Sequence, residues 1–143
     1  MEKILAVDFD GTVVTHEYPE IGKDIYGAIP YLRFFDSKGI KLILWTMRSG
    51  DTLEEAIRWF AKNKITLWGI NKNPEQYSWT DSPKAYAHAY IDDAAIGCPL
   101  KTPDNLRPFV DWERAGPMIL EKFNINFSEF VPFLAENRIH PYF

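Results

Sequence analysis

Four short, mainly apolar runs divide the first two thirds of the chain. They cover residues 4–7, 40–46, 66–70 and 88–91, and each is followed by polar or turn-forming residues. Apolar runs of this length, bounded by turn signals, are typical of strands that are buried on both faces of a sheet. The pattern therefore predicts four strands in this part of the chain.

Helical patterns lie between these runs. Apolar residues recur at intervals of three and four over residues 52–64, which predicts a helix, and Asp51 begins a capping-box pattern at its start. Pro30 suits the first turn of a helix, and Gly39 suits the position just after the last turn. We therefore predict another helix over residues 30–38.

Strands that alternate with helices favour a parallel sheet with right-handed crossover connections. The predicted fold class is α/β, a Rossmann-like three-layer α/β/α arrangement with a mainly parallel sheet. Pro83 predicts one more helical turn, over residues 83–85, before the last strand. No linker or repeat divides the sequence, so we predict a single domain over residues 1–143 with a helical C-terminal extension from about residue 100.

The C-terminal extension differs in character from the rest of the chain. Residues 111–123 have a helical pattern, and residues 125–143 are rich in aromatic side chains. These are Phe127, Phe130, Phe133, Tyr142 and Phe143. We expect this stretch to pack on the sheet or on a second subunit, and in the second case it would make a homo-oligomer.

Bulk composition limits the classes of function. The 143 residues are 46% hydrophobic, enough for one domain with a real core. The net charge of −4 argues against a nucleic-acid partner, which needs a basic face. The single cysteine, Cys98, excludes an internal disulfide and a multi-cysteine zinc site and favours a reducing, cytoplasmic compartment. No apolar run is long enough for a bilayer, and the first residues lack a signal-peptide pattern, so no membrane partner is expected.

Polar side chains follow each of the four predicted strands. In a parallel sheet, ligands bind beyond the carboxyl ends of the strands, so these side chains are expected at one edge. The candidates are Asp8 and Asp10, Thr46, Asn71 and Asn73, and Asp92 and Asp93.

The first acidic pair needs a positive partner. Asp8 and Asp10 are two residues apart, so in an extended chain their carboxylates point to the same side, while Phe9 points into the core. Two like charges so close raise each other's pKa unless a cation lies between them. A divalent cation is the simplest such partner.

The same residues suit phosphoryl transfer. Asp8 is a candidate nucleophile that would form an aspartyl-phosphate, and Asp10 is a candidate acid and base. A Mg²⁺ ion shared by Asp8, Asp92 and the phosphate would offset the repulsion between two anions. Thr46 and Lys84 would stabilise the phosphoryl oxygens by a hydrogen bond and a positive charge.

In this order, the residues resemble the motifs of the haloacid dehalogenase-like (HAD) hydrolase superfamily. The stretch Asp8-Phe9-Asp10-Gly11-Thr12 corresponds to the first motif. Thr46, Lys84 and the pair Asp92-Asp93 then follow in the family's order, over residues 8–93.

The resemblance implies a Mg²⁺-dependent phosphatase, because the dehalogenase branch of the family lacks the second aspartate of the first motif. It also implies metal binding by Asp8, by the backbone carbonyl of Asp10 and by Asp92. Asp93 would lie on the metal or on its water shell. Many family members carry a cap domain, but residues 13–29 have room only for a flap, so we expect a capless form.

Four other side chains have two interpretations each. Arg48 would bind the substrate phosphate or form a salt bridge. His16, in the predicted loop or flap over residues 13–23, would contact substrate or have no chemical role. Asn71 and Asn73 are more typical of loop caps than of substrate contacts.

Two further functions compete with a phosphatase. A phospho-accepting receiver module uses similar residues, but its acidic pair comes early in the chain and its phosphorylated aspartate follows a later strand. In this chain the pair Asp92-Asp93 comes last, after Lys84, and this order favours the hydrolase. The other alternative is a non-catalytic assembly module, to which the aromatic tail points. For the phosphatase, the substrate would be a small phosphorylated molecule, or a larger phosphoester admitted because no cap covers the site.

Overall fold

The computed structural model describes residues 2–140. Its elements are β1 (Ile4–Val7), α1 (Ala28–Ser37), β2 (Lys41–Leu44), α2 (Gly50–Lys62), β3 (Gly69–Ile70), β4 (Ala89–Ile91), β5 (Leu100–Lys101), β6 (Phe109–Val110), α3 (Trp112–Lys122) and α4 (Phe130–Glu136). Two short 3-10 helices lie at Gln76–Ser78 and Phe127–Glu129. No helix within residues 2–140 is long and apolar enough to cross a membrane.

The main sheet has four parallel strands in the order β3-β2-β1-β4. Its register aligns the strand ends, because Val7 pairs with Leu44 on one side and with Ile91 on the other, and Leu44 pairs with Ile70. The predicted α/β fold with a mainly parallel sheet is therefore confirmed. The C-terminal extension begins differently from the prediction, because β5 and β6 form an antiparallel ribbon before the first helix of that region.

Both faces of the sheet are covered, but by layers of unequal thickness. Leu5 and Val7 point into a large core with side chains from all four helices, which we call the main core. Ile4 and Ala6 point the other way, as the period of two in a strand requires, into a second core built with Ala85 and four neighbours. The layer on that side is the connection from β3 to β4, which contains one 3-10 helix.

The C-terminal extension packs within the chain. The ring of Phe130 on α4 stacks on Tyr31 of α1, with centroids 4.2 Å apart and an interplanar angle of 12°. The ring of Phe34 also packs against Phe130, with ring centroids 5.3 Å apart. Tyr142 and Phe143 lie outside the described residues, and the homo-oligomer stays a prediction.

Between β1 and α1 the chain forms a flap, residues 13–27, and this connection is too short for a cap domain. Its two arms are joined by hydrogen bonds from Thr15 N to Lys23 O at 2.9 Å and from Ile25 N to Val13 O at 3.0 Å. Val13 and Ile25 are buried in the main core. The predicted flap is therefore a packed loop with a defined shape.

The predicted helices are confirmed with shifted ends. The helix predicted over 30–38 is α1, and the helix predicted over 52–64 is α2. The capping role of Asp51 was wrong, because α2 begins earlier and its N-cap is Ser49. The Thr52 hydroxyl donates to Ser49 O at 2.8 Å in this first turn.

The helical turn predicted over 83–85 was wrong, and a buried side chain explains why. Gln76 Nε2 donates to Ser82 O at 3.1 Å and to Lys84 O at 2.9 Å, and Gln76 Oε1 accepts from Tyr86 N at 2.7 Å. The backbone groups that a helical turn would use are thus bonded to Gln76. A tertiary contact overrides the local preference of proline here.

Candidate functional site

The aligned strand ends bring the candidate residues to one edge of the sheet. Asp8 comes directly after β1, Asp92 after β4 and Asn71 after β3, while Thr46 lies two residues past β2. Neighbouring strands lie about 4.8 Å apart, so the polar groups of adjacent strands can act on one ligand. The prediction that these residues share an edge is confirmed.

Three carboxylates form a cluster at the ends of β1 and β4. Each of Asp8, Asp92 and Asp93 offers an oxygen, and these oxygens all lie within 4.8 Å of one another. Thr12 bridges two of them: its Oγ1 lies 2.8 Å from Asp8 Oδ2 and 3.4 Å from Asp93 Oδ1, and it accepts from Asp93 N at 3.2 Å. The buried Thr12 side chain therefore sets the spacing of two acids.

The surroundings of Asp8 favour its protonated form. Burial is the largest cause, and a hydrogen bond with Asp93 and the negative charge of Asp92 add to it. Together they raise the pKa of Asp8 to about 8, although the Thr12 hydroxyl works in the other direction. A cation among the three carboxylates would remove much of this cost, since it favours the ionised form.

This pKa predicts how stability depends on pH without metal. Between about pH 4 and 8 the folded protein binds more protons than the unfolded chain, so the free energy of unfolding falls as pH rises. Urea unfolding of EDTA-treated protein should show a loss on the order of 1–3 kcal/mol across this window. Asp8→Asn should flatten the slope, and the same slope in that variant would contradict the assignment to Asp8.

His16 lies against the cluster from the flap. Its Nε2 is 2.9 Å from Asp93 Oδ2, and the two side chains are 13% and 15% exposed. This contact requires a glycine at position 11, because a larger residue would overlap with it. A Cβ built on Gly11 would lie 2.0 Å from His16 Nε2 and 2.6 Å from Asp93 Oδ2, and Gly11 has a φ of +84°.

Gly11→Ala should therefore disturb the cluster as well as the backbone. Gly39 is the matched control, because its φ is +80° and nothing lies within 4 Å of an added Cβ. We expect both alanine variants to lose about 1–2 kcal/mol of unfolding free energy from the positive φ. Gly11→Ala should lose more, which urea unfolding of both variants measures. Equal losses would show that the close approach has no consequence.

Asp10, the second aspartate of the first motif, forms a salt bridge with Arg48. Arg48 Nε lies 2.8 Å from Asp10 Oδ2 and Arg48 Nη2 lies 2.8 Å from Asp10 Oδ1, a bidentate salt bridge. The repulsion expected between Asp8 and Asp10 is thus relieved on one side by an arginine of this chain. The Asp10 side chain is still 17% exposed, so it can face a ligand.

The predicted phosphate-binding role of Arg48 does not fit this geometry. Besides the salt bridge, Arg48 Nη1 donates to Pro19 O at 3.1 Å and to Thr52 O at 3.2 Å, and Nη2 donates to Glu20 O at 2.7 Å. A guanidinium has five N–H groups, and all five are used. Arg48 is 2% exposed, so it is a buried clamp between Asp10 and the flap rather than a ligand for phosphate.

Thr46 and Lys84 lie in different surroundings. Thr46 N donates to Asn71 Oδ1 at 2.8 Å, and Thr46 Oγ1 accepts from Arg48 N at 3.1 Å, so the hydroxyl hydrogen can be given to a ligand. Lys84 is exposed, and its Nζ lies 5.6 Å from the ring centroid of Tyr90. Within residues 2–140 no ion pair joins Lys84 to an acid, and its contact with a phosphate stays a prediction.

The C-terminal extension hydrogen-bonds to the backbone of the first motif, residues 8–12. Trp112 Nε1 donates to Thr12 O at 2.7 Å, and Val110 N donates to Gly11 O at 3.0 Å. Trp112 is 1% exposed. The extension therefore holds the backbone that follows Asp8, a role that the sequence did not indicate.

Sequence reasoning found the cluster but missed two of its contacts. The sequence indicates no separate role for Thr12 within the first motif, and for His16 it favours an interpretation without a chemical role over a substrate contact. The threonine directly before the apolar pair 13–14 carries no signal of its own, whereas a histidine in a flap over an acidic motif is a usable one. Cys98 is half-buried and burial raises the pKa of its thiol, which agrees with a packed thiol.

Comparison with known proteins gives one informative relative. The solved structure of a conserved protein from Bacteroides thetaiotaomicron matches this chain with a TM-score of 0.69 and 34% sequence identity. The match covers 92% of this chain and 98% of the other. No protein-family model matches the sequence, and no curated protein matches it.

Proposed function

The chain belongs to the same family as the conserved Bacteroides thetaiotaomicron protein, and we propose that it is a Mg²⁺-dependent phosphatase that acts through an aspartyl-phosphate. One observation carries the proposal. Asp8, a half-buried carboxylate directly after β1, has an oxygen within 4.8 Å of oxygens of two further carboxylates, and a separately held carboxylate, Asp10, follows two residues later. The reaction needs one carboxylate for attack, which is Asp8, and one for proton transfer, which is Asp10. The two further carboxylates beside Asp8 can hold a metal ion.

The donor set suits Mg²⁺. Magnesium prefers oxygen ligands, keeps several waters and needs only one or two carboxylates. Asp8 and Asp92 would hold the ion, with Asp93 on the ion or on its water shell. When bound, the ion supplies positive charge that offsets the repulsion between a carboxylate and a phosphate.

The first half of the reaction transfers the phosphoryl group to the protein. An Asp8 oxygen forms a bond to phosphorus while the bond from phosphorus to the ester oxygen breaks. Asp10 would take up a proton on a lone pair that Arg48 does not use and would give it to the departing oxygen, which leaves as an alcohol. In the second half, water attacks the phosphorus, Asp10 takes the water's proton, and the bond to Asp8 breaks to release phosphate and free Asp8.

Positioning is the work of residues around the two aspartates. The Arg48 clamp fixes the direction of the Asp10 carboxylate, because both of its oxygens are bonded to the guanidinium. Thr46 would donate its hydroxyl to a phosphate oxygen, and Lys84, on a surface segment, would add charge. Within residues 2–140 no cap domain covers the site, so the water that attacks in the second half would come directly from solvent.

A hydrolysis assay tests the proposal. Purified protein with Mg²⁺ should hydrolyse members of a broad panel of phosphomonoesters, EDTA should remove the activity, and added Mg²⁺ should restore it. No turnover across the panel would overturn the phosphatase assignment. Stable phosphorylation by acetyl phosphate without turnover would favour the receiver-like alternative instead.

The proposal agrees with the resemblance of the motifs to HAD hydrolases. Membership of that superfamily rests on residues 8–12, Thr46, Lys84 and the pair Asp92-Asp93. A cytoplasmic location, with its reducing conditions and free Mg²⁺, suits this chemistry and the lone cysteine.

A further inference from the structure

A cavity of about 480 Å³ lies on the segment that connects β3 to β4. Its lining comes entirely from residues 71–85, so we call it the 71–85 cavity. Sites for small molecules are typically about 300–1,000 Å³ in volume, and this one falls within that range.

One residue, Asn71, links the 71–85 cavity to the proposed phosphate site. Asn71 lines it, and the Oδ1 of the same side chain accepts the hydrogen bond from Thr46 N at 2.8 Å. The strands β1, β2 and β3 are consecutive in the sheet, so the ends of β1 and β3 lie about 10 Å apart. The alcohol portion of a substrate whose phosphorus atom lies at Asp8 would extend past Thr46 and Asn71 to enter the cavity.

The lining divides into residues that shape the cavity and residues that can contact a ligand. Asn73 and Gln76 are buried, and their side chains bond to the segment's own backbone, with Asn73 Nδ2 on Tyr86 O at 3.0 Å. Three of the contacts of Gln76 tie residues 82–86 in place. The side-chain amides of Asn73 and Gln76 therefore stabilise the cavity wall, and most of their hydrogen-bonding groups are already used within the protein.

The accessible side chains combine an aromatic face with small polar groups. The Tyr77 ring is 78% exposed, and Asp81 and Ser82 lie on the same lining. Exposed aromatic rings stack on flat rings, and hydroxyl and carboxylate groups bond to the polar edge of such a ring. Asp81 also disfavours a second anionic group on the ligand.

A second cavity, of about 380 Å³, offers a contrast. It runs along the outer edge of β4 against α3, and its lining includes Ile96, Met118 and Ile119. Such a lining suits an apolar group and has few hydrogen-bonding groups to orient a polar one. It provides a control surface for experiments on the first cavity.

We propose that the 71–85 cavity binds the alcohol portion of the substrate, and that this alcohol carries a flat, hydrogen-bonding ring, as nucleosides do. The inference rests on the proposed phosphatase function, because the phosphorus atom at Asp8 is its starting point. It goes further by naming the class of leaving group. Neither cavity shape nor ring stacking follows from the motifs in the sequence.

Substrate preference gives the first test. Tyr77→Ala should lower kcat/KM for adenosine 5′-monophosphate about tenfold, the loss expected for one stacking contact, with most of the change in KM. Hydrolysis of glycerol phosphate, which has no ring, should be unchanged. Tyr77→Phe should keep the preference, and Met118→Ala, in the second cavity, should keep it too. An equal effect of Tyr77→Ala on both substrates would overturn the inference.

Binding gives a second test that does not depend on turnover. Amide signals of labelled Asp8→Asn protein are followed by NMR as adenosine 5′-monophosphate is added with Mg²⁺. Shifts at Asn71 and its cavity neighbours together with shifts around residue 8, the cavity shifts being lost in the double variant with Tyr77→Ala, are the expected result. Shifts around Ile96 and Met118, or no binding, would overturn the proposal. Binding at the cavity without hydrolysis by wild-type protein would overturn the phosphatase assignment alone.

Discussion

Asp8→Asn is expected to abolish phosphomonoester hydrolysis while the protein still folds. The amide cannot form the aspartyl-phosphate, so the loss of kcat should be about 10,000-fold or more, as for removal of other nucleophiles. The replacement has nearly the same shape and can still accept the hydrogen bond from Thr12 that Asp8 Oδ2 accepts at 2.8 Å. Initial rates with saturating Mg²⁺ measure the effect.

A second expectation separates this result from a folding defect. Asn carries no charge, so the cost of burying a charge and the repulsion from Asp92, which raise the pKa of Asp8, both disappear, and the variant should be more stable than wild type near pH 8 in EDTA. Asp104→Asn, on an exposed loop, is the control for a neutral change elsewhere and should keep full activity. Activity retained by Asp8→Asn would remove that residue from the nucleophile role, and another group would have to be sought.

Arg48→Ala is expected to be the most damaging change to stability. It leaves the Asp10 carboxylate without its bidentate partner, removes the side-chain donor of the Pro19 and Glu20 carbonyls, and removes a bond to Thr52 O in α2. It also removes a guanidinium that lies 5.0 Å from the Phe9 ring centroid. Breaking a buried ion pair by removing one partner costs about 3–5 kcal/mol, which urea unfolding would detect.

Two variants bracket the role of Arg48. Arg58, exposed on α2, is the matched control, and its change to alanine should cost less than about 0.5 kcal/mol. Arg48→Lys keeps the charge but loses the planar fork, so it should recover part of the stability while kcat stays low. If Arg48→Lys restored kcat fully, the charge alone would matter, and the bidentate orientation of Asp10 would have no catalytic importance.

The elements that the sequence predicted well are those whose signal is local. The run at residues 4–7 is β1, and a hydrophobic repeat and a proline mark α2 and α1 close to their true positions. Shared location at the sheet edge also followed, since parallel strands end together. The Asp8 cluster could therefore be anticipated without any coordinates.

What could not be predicted depends on contacts between distant residues. The pair of Asp10 and Arg48 joins residues that are 38 positions apart, and an isolated arginine after a strand does not reveal that its five donors are used inside the protein. The bend at Pro83 is imposed by Gln76, an ordinary-looking polar residue whose burial only the fold creates. In the same way, Trp112 reaches the first motif from 100 residues away.

The thinner layer of the sheet has a consequence for how such a protein can change over time. The segment from β3 to β4 rests on the small second core, while the carboxylates and the Arg48 clamp depend on the main core and the flap. Substitutions that reshape Tyr77 or Ser82 therefore need not disturb the groups around Asp8. For the phosphatase that we propose, a lineage with this architecture could acquire new substrates by altering Tyr77 or Ser82, while the groups around Asp8 keep the reaction unchanged.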